Sequence, residues 1–558
     1  MTDTDPTAPP NAPPRVAEMF PTLSDGQIDR LRPAGHERAV AAGEILFEQG
    51  QPSTTFHVVL EGSIEVVHPG VTEHLITVHE RGGFTGELNV LSGTRSLVRG
   101  RMREQGRVLE LDRSVLRTVV VGDSELSEKV MRAFILRRTG LIAESRGDVV
   151  LVGSRHSAGT LRVQEFLTRN GHPHQTIDVE RDPEAQALLD HFGVGVADVP
   201  VVICLGTRVL KNPNIVELAE CLGYTATLDP TKVRDVVVIG AGPAGLAAAV
   251  YGGSEGLDVL VLESAAPGGQ AGSSSRIENY LGFPTGISGQ ALAGRAFTQA
   301  EKFGAEVAIA RTAIRLACDR RPYRIELGPT ESVLARTVVI ASGARYHKPQ
   351  LEALERFEGV GVYYCATAVE ARLCESNDVI VVGGANSAGQ AAVFLSATAR
   401  RVYVLVRRSG LSDTMSRYLI RRIEETPTIE LVPDTEIVAL EGANELERVT
   451  WLNKRTGERV TRAIGHVFMM TGASPNTEWL ASCVAMDGKA FVKTGADLTH
   501  DELMTANWRL ARSPYLFETS LPGVFAVGDV RASSVKRVAS AVGEGSICIQ
   551  LVHKVLAE

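Results

Sequence analysis

A glycine-rich segment that begins at residue 240 has the spacing of a turn that binds a dinucleotide. It follows the apolar run DVVVIG, precedes an Ala-rich stretch, and contains Gly240, Gly242, Pro243, Ala244 and Gly245. Glycines at this spacing permit a tight turn and let the backbone N–H groups of a helix N-terminus approach a pyrophosphate. Glu263 ends the next apolar run, where its carboxylate can accept a hydrogen bond from a ribose hydroxyl. The segment therefore predicts one dinucleotide site.

A second segment of the same kind follows the apolar run NDVIVVGG. It contains Gly383, Gly384, Asn386, Ser387 and Ala388. The next apolar run, RVYVLVRR, ends in Arg407 and Arg408 where the first copy has Glu263. Two guanidinium groups suit a 2′-phosphate, so the second site is predicted to bind NADPH in preference to NADH. The alternative is a basic strand end that is merely solvated.

Two dinucleotide sites in one chain predict an oxidoreductase that holds FAD permanently and NADPH transiently. Such a protein has to place C4 of the nicotinamide against N5 of the flavin. Hydride transfer between these two groups needs no side-chain acid or base, so none is assigned. No metal site is predicted.

The elements that must position these residues fall into three blocks. From about Val16 to Ile142, short β-like runs punctuated by Gly predict a small β-barrel or jelly roll. That block ends in a helix whose apolar face would contain Leu126, Val130, Phe134 and Leu136. Residues 148–227 read β-α-β-α-β, a compact α/β unit. From Asp235 onward, apolar strands alternate with helical segments, as they do in doubly wound sheets.

Composition excludes several classes of function. A net charge of −8 over 558 residues argues against nucleic-acid binding, and no apolar run is long enough for a membrane span. Residues 1–15 are acidic and Pro-rich, which predicts a disordered tail rather than a secretory signal and hence a cytoplasmic protein. The seven cysteines are scattered without a C-x-x-C pair, so a disulfide framework is not expected and most are predicted to be small buried side chains.

Four segments resemble low-molecular-weight thioredoxin reductases, and the similarity extends over Arg234–Leu556. The segments are PGGQAGSSSRIENYLGFPTGISG, VVIASGARYHKP, MMTGASPNTEWL and PGVFAVGDV. The resemblance implies a homodimer and an FAD domain in two parts, residues 229–358 and 473–558, split by an NAD(P)H domain at 359–472. It also implies flavin-side positions at Gly269, Gln270, Asn279, Gly343, Gly528 and Asp529. In that family the NADPH domain rotates, with hinges expected near residues 358–361 and 471–474.

The chain departs from this family at its redox motif. Where the family has C-A-T-C, this sequence has Cys365, Ala366, Thr367 and Ala368. Without the second thiol, Cys365 cannot form the disulfide that takes electrons from the flavin. Cys365 is then either an inert thiol or a catalytic residue that attacks a partner's disulfide, and a substitute pair with Cys374 is the third alternative.

Residues 147–228 resemble a thioredoxin- or glutaredoxin-like domain. The strand DVVLVGS leads into Ser154, Arg155, His156 and Ser157, where the family keeps C-x-x-C. Val199–Pro200 matches the Val-cisPro that accompanies that motif. Because thiols are missing here and at Ala368, a dithiol relay is not expected.

Residues 16–146 resemble a cyclic-nucleotide-binding domain. Its phosphate cassette would use Gly86, Glu87, Arg95 and Ser96, with Leu97 replacing a small residue. A carboxylate can accept a hydrogen bond from a ribose hydroxyl, and an arginine can bind a cyclic phosphate. The domain is predicted either to bind a cyclic nucleotide or to be a degenerate interaction domain, and no helix-turn-helix follows it.

Together these features predict an enzyme that passes electrons from NADPH through FAD to a small-molecule or protein acceptor. A quinone, dioxygen, a ferredoxin-like protein and a partner's disulfide are the candidate acceptors. A ligand-gated flavin sensor and a thioredoxin-disulfide reductase that uses Cys365 are the alternatives.

Overall fold

A computed structural model gives the fold of the chain. The structure describes residues 16–51, 55–69, 73–86, 96, 98–143, 149–154, 157–180, 182, 198–204, 208–224, 228–274, 276–346, 349–364, 366, 368–412, 415–443, 445–480 and 483–558. Strands and helices are numbered below in chain order within these residues. No helix among them is both long enough and apolar enough to cross a membrane.

The described residues of the N-terminal region form eight strands in two four-stranded antiparallel sheets, ordered β1-β8-β3-β6 and β2-β7-β4-β5. The strands are β1 His36–Val40, β2 Ile45–Phe47, β3 Thr55–Glu61, β4 Ile64–His68, β5 His74–His79, β6 Phe84–Thr85, β7 Arg99–Met102 and β8 Gly106–Asp112. The helices are α1 Val16–Met19, α2 Asp25–Leu31, α3 Arg113–Gly122 and α4 Ser124–Ala143. Alternating apolar residues of β3 and β8 face the helices, so one core forms between the first sheet and α2–α4.

The apolar face predicted for the last of these helices is largely confirmed. Leu126, Val130 and Phe134 are buried in the core with Phe56 and Phe84, whereas Leu136 is only half-buried. Helix α2 begins at a capping box in which the Ser24 hydroxyl accepts from the N–H of Gln27. The buried side chains thus pack α4 against the first sheet, and the capping box fixes where α2 begins.

The middle region is a four-stranded sheet in the order β10-β9-β11-β12. Its elements are β9 Val149–Gly153, α5 Ala158–Arg169, β10 His174–Asp178, β11 Val201–Cys204, β12 Arg208–Lys211 and α6 Ile215–Leu222. Strands β9 and β10 are parallel, while β11 runs antiparallel to both β9 and β12. The sequence pattern did not predict β12 or α6, and its second helix lies outside the described residues. The Val199–Pro200 peptide bond is cis.

A seven-stranded sheet forms the centre of the first dinucleotide region. Its order is β15-β14-β13-β18-β17-β16, with β29 paired to β18. The elements are β13 Val233–Ile239, α7 Pro243–Ser254, β14 Val259–Glu263, α8 Gly269–Gly272, α9 Gly289–Lys302, β15 Glu306–Ile309, β16 Arg315–Ala317, β17 Tyr323–Glu326 and β18 Ser332–Ile340. Because both faces of the parallel strands are covered, residues 236–239 of β13 and 259–262 of β14 are continuous apolar runs.

A second parallel sheet is inserted between β18 and β29, in the order β20-β27-β21-β22-β23. The inserted elements are β19 Ala344–Tyr346, α10 Leu354–Phe357, β20 Val362–Tyr363, α11 Ala368–Leu373, β21 Asp378–Val382, α12 Asn386–Leu395, β22 Arg401–Leu405, α13 Arg417–Glu425, β23 Ile429–Val432, β24 Thr435–Glu441, β25 Arg448–Asn453, β26 Arg459–Arg462, β27 Val467–Met469 and β28 Ala473–Pro475. The chain then returns through α14 His500–Thr505 and β29 Val524–Ala526 to α15 Val538–Ala557. Strands β19 and β28 pair with each other where the chain enters and leaves the insertion.

The sequence predicts no disulfide framework, yet the described residues include one disulfide that it did not predict. Cys318, after β16, is disulfide-bonded to Cys483, with their Cα atoms 6.0 Å apart. The two residues are 165 positions apart in sequence, because the insertion separates them. The disulfide therefore joins the two parts of the first dinucleotide region, and spacing along the chain gave no sign of it.

Candidate functional site

The first glycine turn joins β13 to α7 and leaves space for a ligand. Gly240 has a φ of +103°, and a Cβ added there would lie 2.4 Å from the carbonyl oxygen of Ala341. A Cβ added to Gly242 would approach only the Cα of Gly269, at 3.9 Å. The N–H groups of Ala244 and Gly245 belong to the first turn of α7, where they have no intrahelical acceptor. The turn could therefore hold a pyrophosphate.

Glu263 is buried at the carboxyl end of β14, directly beside this turn. One carboxylate oxygen accepts from the N–H of Ala241 at 2.8 Å, and the other accepts from the N–H of Ala265 at 2.9 Å. The oxygen that accepts from Ala265 also accepts from the Ser264 hydroxyl at 3.4 Å, whereas the oxygen that accepts from Ala241 can accept one more hydrogen bond. The side chain thus braces the loops on both sides of it and keeps acceptor capacity for a ribose hydroxyl.

A loop and short helix, Ser264–Gly272, lie against the glycine turn. A Cβ added to Gly269 would be 3.0 Å from the Cα of Gly242. The Gln270 side-chain amide donates to the carbonyl of Ala344, next to Gly343 with its φ of +66°. The structure therefore brings Gly269, Gln270 and Gly343 together. Asn279 is exposed, and no described hydrogen bond joins it to this group.

Gly528 and Asp529 follow β29 and pack against the N-terminal part of α7. A Cβ added to Gly528 would lie 2.9 Å from the Cβ of Ala244. Burial raises the pKa of the Asp529 carboxyl and lowers the pKa of the neighbouring Lys536 ammonium, which donates to the Asp529 carbonyl at 2.9 Å. Three chain segments therefore surround the first glycine turn: the end of β14 with Glu263, the segment Ser264–Gly272, and the residues Gly528 and Asp529 after β29.

Sequence reasoning missed a residue that holds this third segment. Glu544 of α15 accepts from the N–H of Gly528 at 2.7 Å and from the guanidinium of Arg531 at 2.6 Å. Both charged side chains are largely buried. The only local signal was a glutamate between two glycines in the helical run AVGEGS.

The second glycine turn repeats this arrangement between β21 and α12. Gly383 has a φ of +147°, and an added Cβ would lie 2.4 Å from the carbonyl oxygen of Met470. Ala388 is buried against the sheet and Ser387 is exposed. The side-chain oxygen of Asn386 accepts from the N–H of Ser416 at 2.8 Å, so Asn386 also holds the start of α13.

Arg407 and Arg408 are exposed beyond the carboxyl end of β22, which ends at Leu405 rather than at the arginines. The carbonyl of Arg408 accepts from the N–H of Asp434 at 3.0 Å, which fixes the backbone. Both residues therefore follow β22 at the sheet edge that carries the second turn. An exposed cationic pair there could receive a 2′-phosphate.

Comparison with known proteins decides the family. Residues 234–545 match the pyridine nucleotide-disulphide oxidoreductase family, and residues 37–123 match the cyclic nucleotide-binding domain. The chain belongs to the pyridine nucleotide-disulphide oxidoreductase family. It is an FAD-dependent NAD(P)H oxidoreductase that uses FAD and NADPH, and its N-terminal region is a cyclic-nucleotide-binding domain.

Several thioredoxin reductases are similar to this oxidoreductase. Those of Mycoplasmopsis pulmonis and Bacillus subtilis are 31% and 30% identical to it, over 57% and 59% of this chain and 96% of each relative. The crystal structure of Lactococcus lactis thioredoxin reductase in its FR conformation is 27% identical with a TM-score of 0.52, over 58% of this chain and 99% of that one. These matches leave the N-terminal and middle regions uncovered.

The two dinucleotide regions of this oxidoreductase touch through an ion pair. Arg422 of α13 donates to the carboxylate of Glu278 at 2.9 Å, and Glu278 lies in the flavin-side segment of the first region. Gly359 and Gly361, in one of the expected hinges, have φ values of +79° and +130°. The other expected hinge runs into β28. The insertion is thus connected to the first region at positions where the backbone is unusual or strand-paired.

The cysteines of the oxidoreductase that the structure describes include no exposed thiol. Cys365 and Thr367 lie outside the described residues. Cys374 is fully buried in the core of the insertion, and burial raises the pKa of its thiol to about 11. A thiol of that kind is a poor nucleophile at neutral pH.

The cassette of the cyclic-nucleotide-binding domain is described only at its ends. Glu87, Arg95 and Leu97 lie outside the described residues. Gly86 has a φ of +95°, and the buried Ser96 hydroxyl donates to the carbonyl of Val98 at 2.7 Å. The ribose and phosphate positions of this domain therefore stay predictions.

Proposed function

We propose that this oxidoreductase passes electrons from NADPH through FAD to an external acceptor, without a redox disulfide of its own beside the flavin. The observation that carries the proposal is Ala368 at the first position of α11, where the family resemblance expects the second thiol. Cys374, the other candidate partner of Cys365, is buried with a raised thiol pKa, which supports the same conclusion. The acceptor is then a small molecule or a separate protein.

The roles proposed for the site residues follow from their contacts. The N–H groups at the start of α7 would bind the FAD pyrophosphate, Glu263 the adenosine ribose, and Asp529 the ribityl chain. Glu544 would hold Gly528 in place beneath them. FAD, when bound, accepts hydride from the nicotinamide and releases electrons to the acceptor. The start of α12, with Arg407 and Arg408, would bind and orient NADPH.

The proposed domain boundaries are those of the sequence analysis, at residues 16–146, 147–228, 229–358, 359–472 and 473–558. For residues 147–228, the sheet order β10-β9-β11-β12 and the packing of α5 and α6 on one of its faces support the thioredoxin-like assignment. In this proposal the domain carries no dithiol. A homodimer in the cytoplasm completes the proposal.

The test is anaerobic reduction of the purified protein by NADPH, counting the electrons taken up per flavin. The Cys318–Cys483 disulfide could contribute two electrons, so the measurement is made on wild type and on the Cys318→Ser/Cys483→Ser variant. Uptake of two electrons per flavin in that variant supports the proposal. Uptake of four would show a second redox centre and overturn it.

A disulfide reductase that uses Cys365 is the first alternative. It predicts that Cys365→Ala abolishes reduction of a disulfide substrate and leaves ferricyanide reduction intact. A wild-type protein that reduces no disulfide substrate would exclude this alternative.

A ligand-gated flavin sensor is the second alternative, and one contact favours it. Lys302, at the end of α9, donates to the hydroxyl of Ser127 in the cyclic-nucleotide-binding domain at 2.7 Å. Helix α9 packs on α8 beside the first glycine turn, so the domain has a direct structural connection to the flavin side. Redox-dependent partner binding without steady NADPH turnover would favour the sensor.

A further inference from the structure

The middle region contacts the first dinucleotide region at the loop that borders the glycine turn. Helix α5 ends at Arg169, whose guanidinium donates to the carbonyl of Gly269 at 2.9 Å. The side-chain amide of Asn170 donates to the carbonyl of Ala265 at 3.2 Å. Both acceptors belong to the Ser264–Gly272 segment. In the opposite direction, Gln290 of α9 donates to the carbonyl of Thr168 at 2.5 Å.

An apolar interface supports these hydrogen bonds. Phe166 and Leu167 of α5 are buried in one cluster with Ile309 and Ala310 of the first dinucleotide region. Asn170 is itself 5% exposed, so its bond forms away from bulk water. Hydrogen bonds in such an environment, backed by packing, fix the position of a loop more firmly than exposed ones do.

The bonded carbonyls determine which way the loop presents its N–H groups. In a trans peptide the C=O and the following N–H point in opposite directions. Because the Gly269 carbonyl is directed at Arg169, the N–H of Gln270 is directed away from α5. The Ala265 carbonyl is held by Asn170 in the same way, while Glu263 accepts the N–H of Ala265. The middle region thus holds this loop in a conformation that turns its carbonyls toward α5.

Arg169 also places its guanidinium near the open side of the turn, where it pairs with Glu165 of the same helix at 3.4 Å. Its acceptor, Gly269, is the residue that lies closest to the open side of Gly242. The Nε of Arg169 is buried, and among the described residues none accepts a hydrogen bond from it. A cation at this position would favour the negative charge of a pyrophosphate.

We infer that Arg169 and Asn170 are positioning residues of the FAD site, supplied by a domain outside the dinucleotide regions. This inference rests on the first glycine turn being the FAD site. The inference gives the middle region a role that needs no thiol. The middle region packs against the outer side of the Ser264–Gly272 loop, which borders the cofactor site.

The test is FAD affinity, measured by reconstituting apoprotein and following flavin fluorescence. Arg169→Ala/Asn170→Ala should raise the FAD Kd about tenfold or more, because two hydrogen bonds, one of them charged, are lost. Arg169→Lys should bind FAD more tightly than the double variant does, since lysine can donate to the Gly269 carbonyl. Gln290→Ala, which weakens the same interface from the other side, should also raise the Kd.

Arg162→Ala is the matched control, because Arg162 lies on the same helix and donates within the middle region, to Asn212 and Pro213. It should leave the FAD Kd unchanged, and NADPH affinity should be unchanged in every variant. Circular dichroism identifies a variant that fails to fold, and Arg169→Lys then carries the test. A wild-type FAD Kd in Arg169→Ala/Asn170→Ala would overturn the inference. A wild-type protein that takes up no flavin would instead overturn the proposed function.

Discussion

At the scale of single residues, the first dinucleotide site depends on polar side chains that hold backbone loops. Glu263 accepts two backbone N–H groups from the loops on either side of it, and Glu544 accepts one from Gly528. In both cases a buried carboxylate satisfies N–H groups that would otherwise lack an acceptor. The cofactor would therefore meet loops that are already ordered.

Glu263→Gln should lower both FAD affinity and stability. The glutamine amide nitrogen would face one of the two backbone N–H groups, which leaves a buried donor unsatisfied at a cost of about 1–3 kcal/mol. Flavin content as purified and the free energy of unfolding measure the two effects. Glu255→Gln, at an exposed position, serves as control, and an equal flavin content in both variants would contradict the role given to Glu263.

Arg407→Ala/Arg408→Ala should weaken NADPH binding far more than NADH binding. Each charge-assisted bond to a 2′-phosphate contributes about 1.5–3 kcal/mol, roughly ten- to a hundredfold in Kd. Arg401→Ala is the control, because Arg401 lies at the other end of β22 in an exposed ion pair with Glu430. Equal losses for both nucleotides would show that the arginines do not contact the 2′-phosphate.

At the scale of secondary-structure elements, stability depends on contacts between segments that are far apart in sequence. The Cys318–Cys483 disulfide connects β16 with the segment after β28. Cys318→Ser/Cys483→Ser should lower the free energy of unfolding by about 2–5 kcal/mol, since the cross-link restricts a long loop in the unfolded chain. Denaturant unfolding of wild type with and without reductant gives an independent value, and an unchanged midpoint in both experiments would contradict the prediction.

The cyclic-nucleotide-binding domain should be sensitive to acid through His79 of β5. Burial lowers the pKa of His79 to about 3, with a further contribution from nearby Arg137. The unfolded chain takes up a proton below about pH 6.5, where the folded domain cannot, so stability falls as the pH drops from about 6.5 toward 3. His79→Phe should move the midpoint of acid unfolding to lower pH. An identical midpoint would show that other groups control this transition.

At the scale of the whole molecule, helix α9 contacts two other regions and the short helix α8 of its own region. Its first turn contacts α5 through Gln290, its last residue contacts the N-terminal domain through Lys302, and its middle packs on α8. The insertion, by contrast, touches the flavin-side segment through the exposed pair Arg422–Glu278. The N-terminal and middle regions are therefore anchored beside the flavin site, and an exposed ion pair is one of the contacts that hold the insertion there.

Arg422→Ala should shift the insertion away from the arrangement seen here by a small amount. An exposed ion pair contributes about 0.2–1 kcal/mol, which corresponds to at most about a fivefold change in population. Energy transfer between labels at Lys489 and Glu458, both exposed, would report the shift. Arg421→Ala is the control, since Arg421 lies on the same helix and pairs within it with Glu425. Equal transfer in both variants would exclude a role for this ion pair.

The sequence by itself determined the two glycine turns, the strands before them and the oxidoreductase class. These features depend on residues within about 25 positions of each other, so spacing and apolar runs carry them. Only the tertiary structure decided that Cys483 meets Cys318 and that Arg169 contacts Gly269. These pairs are 165 and 100 residues apart. Helix and strand periodicity is local, so no pattern in the chain records which distant segments the packing of several domains brings together.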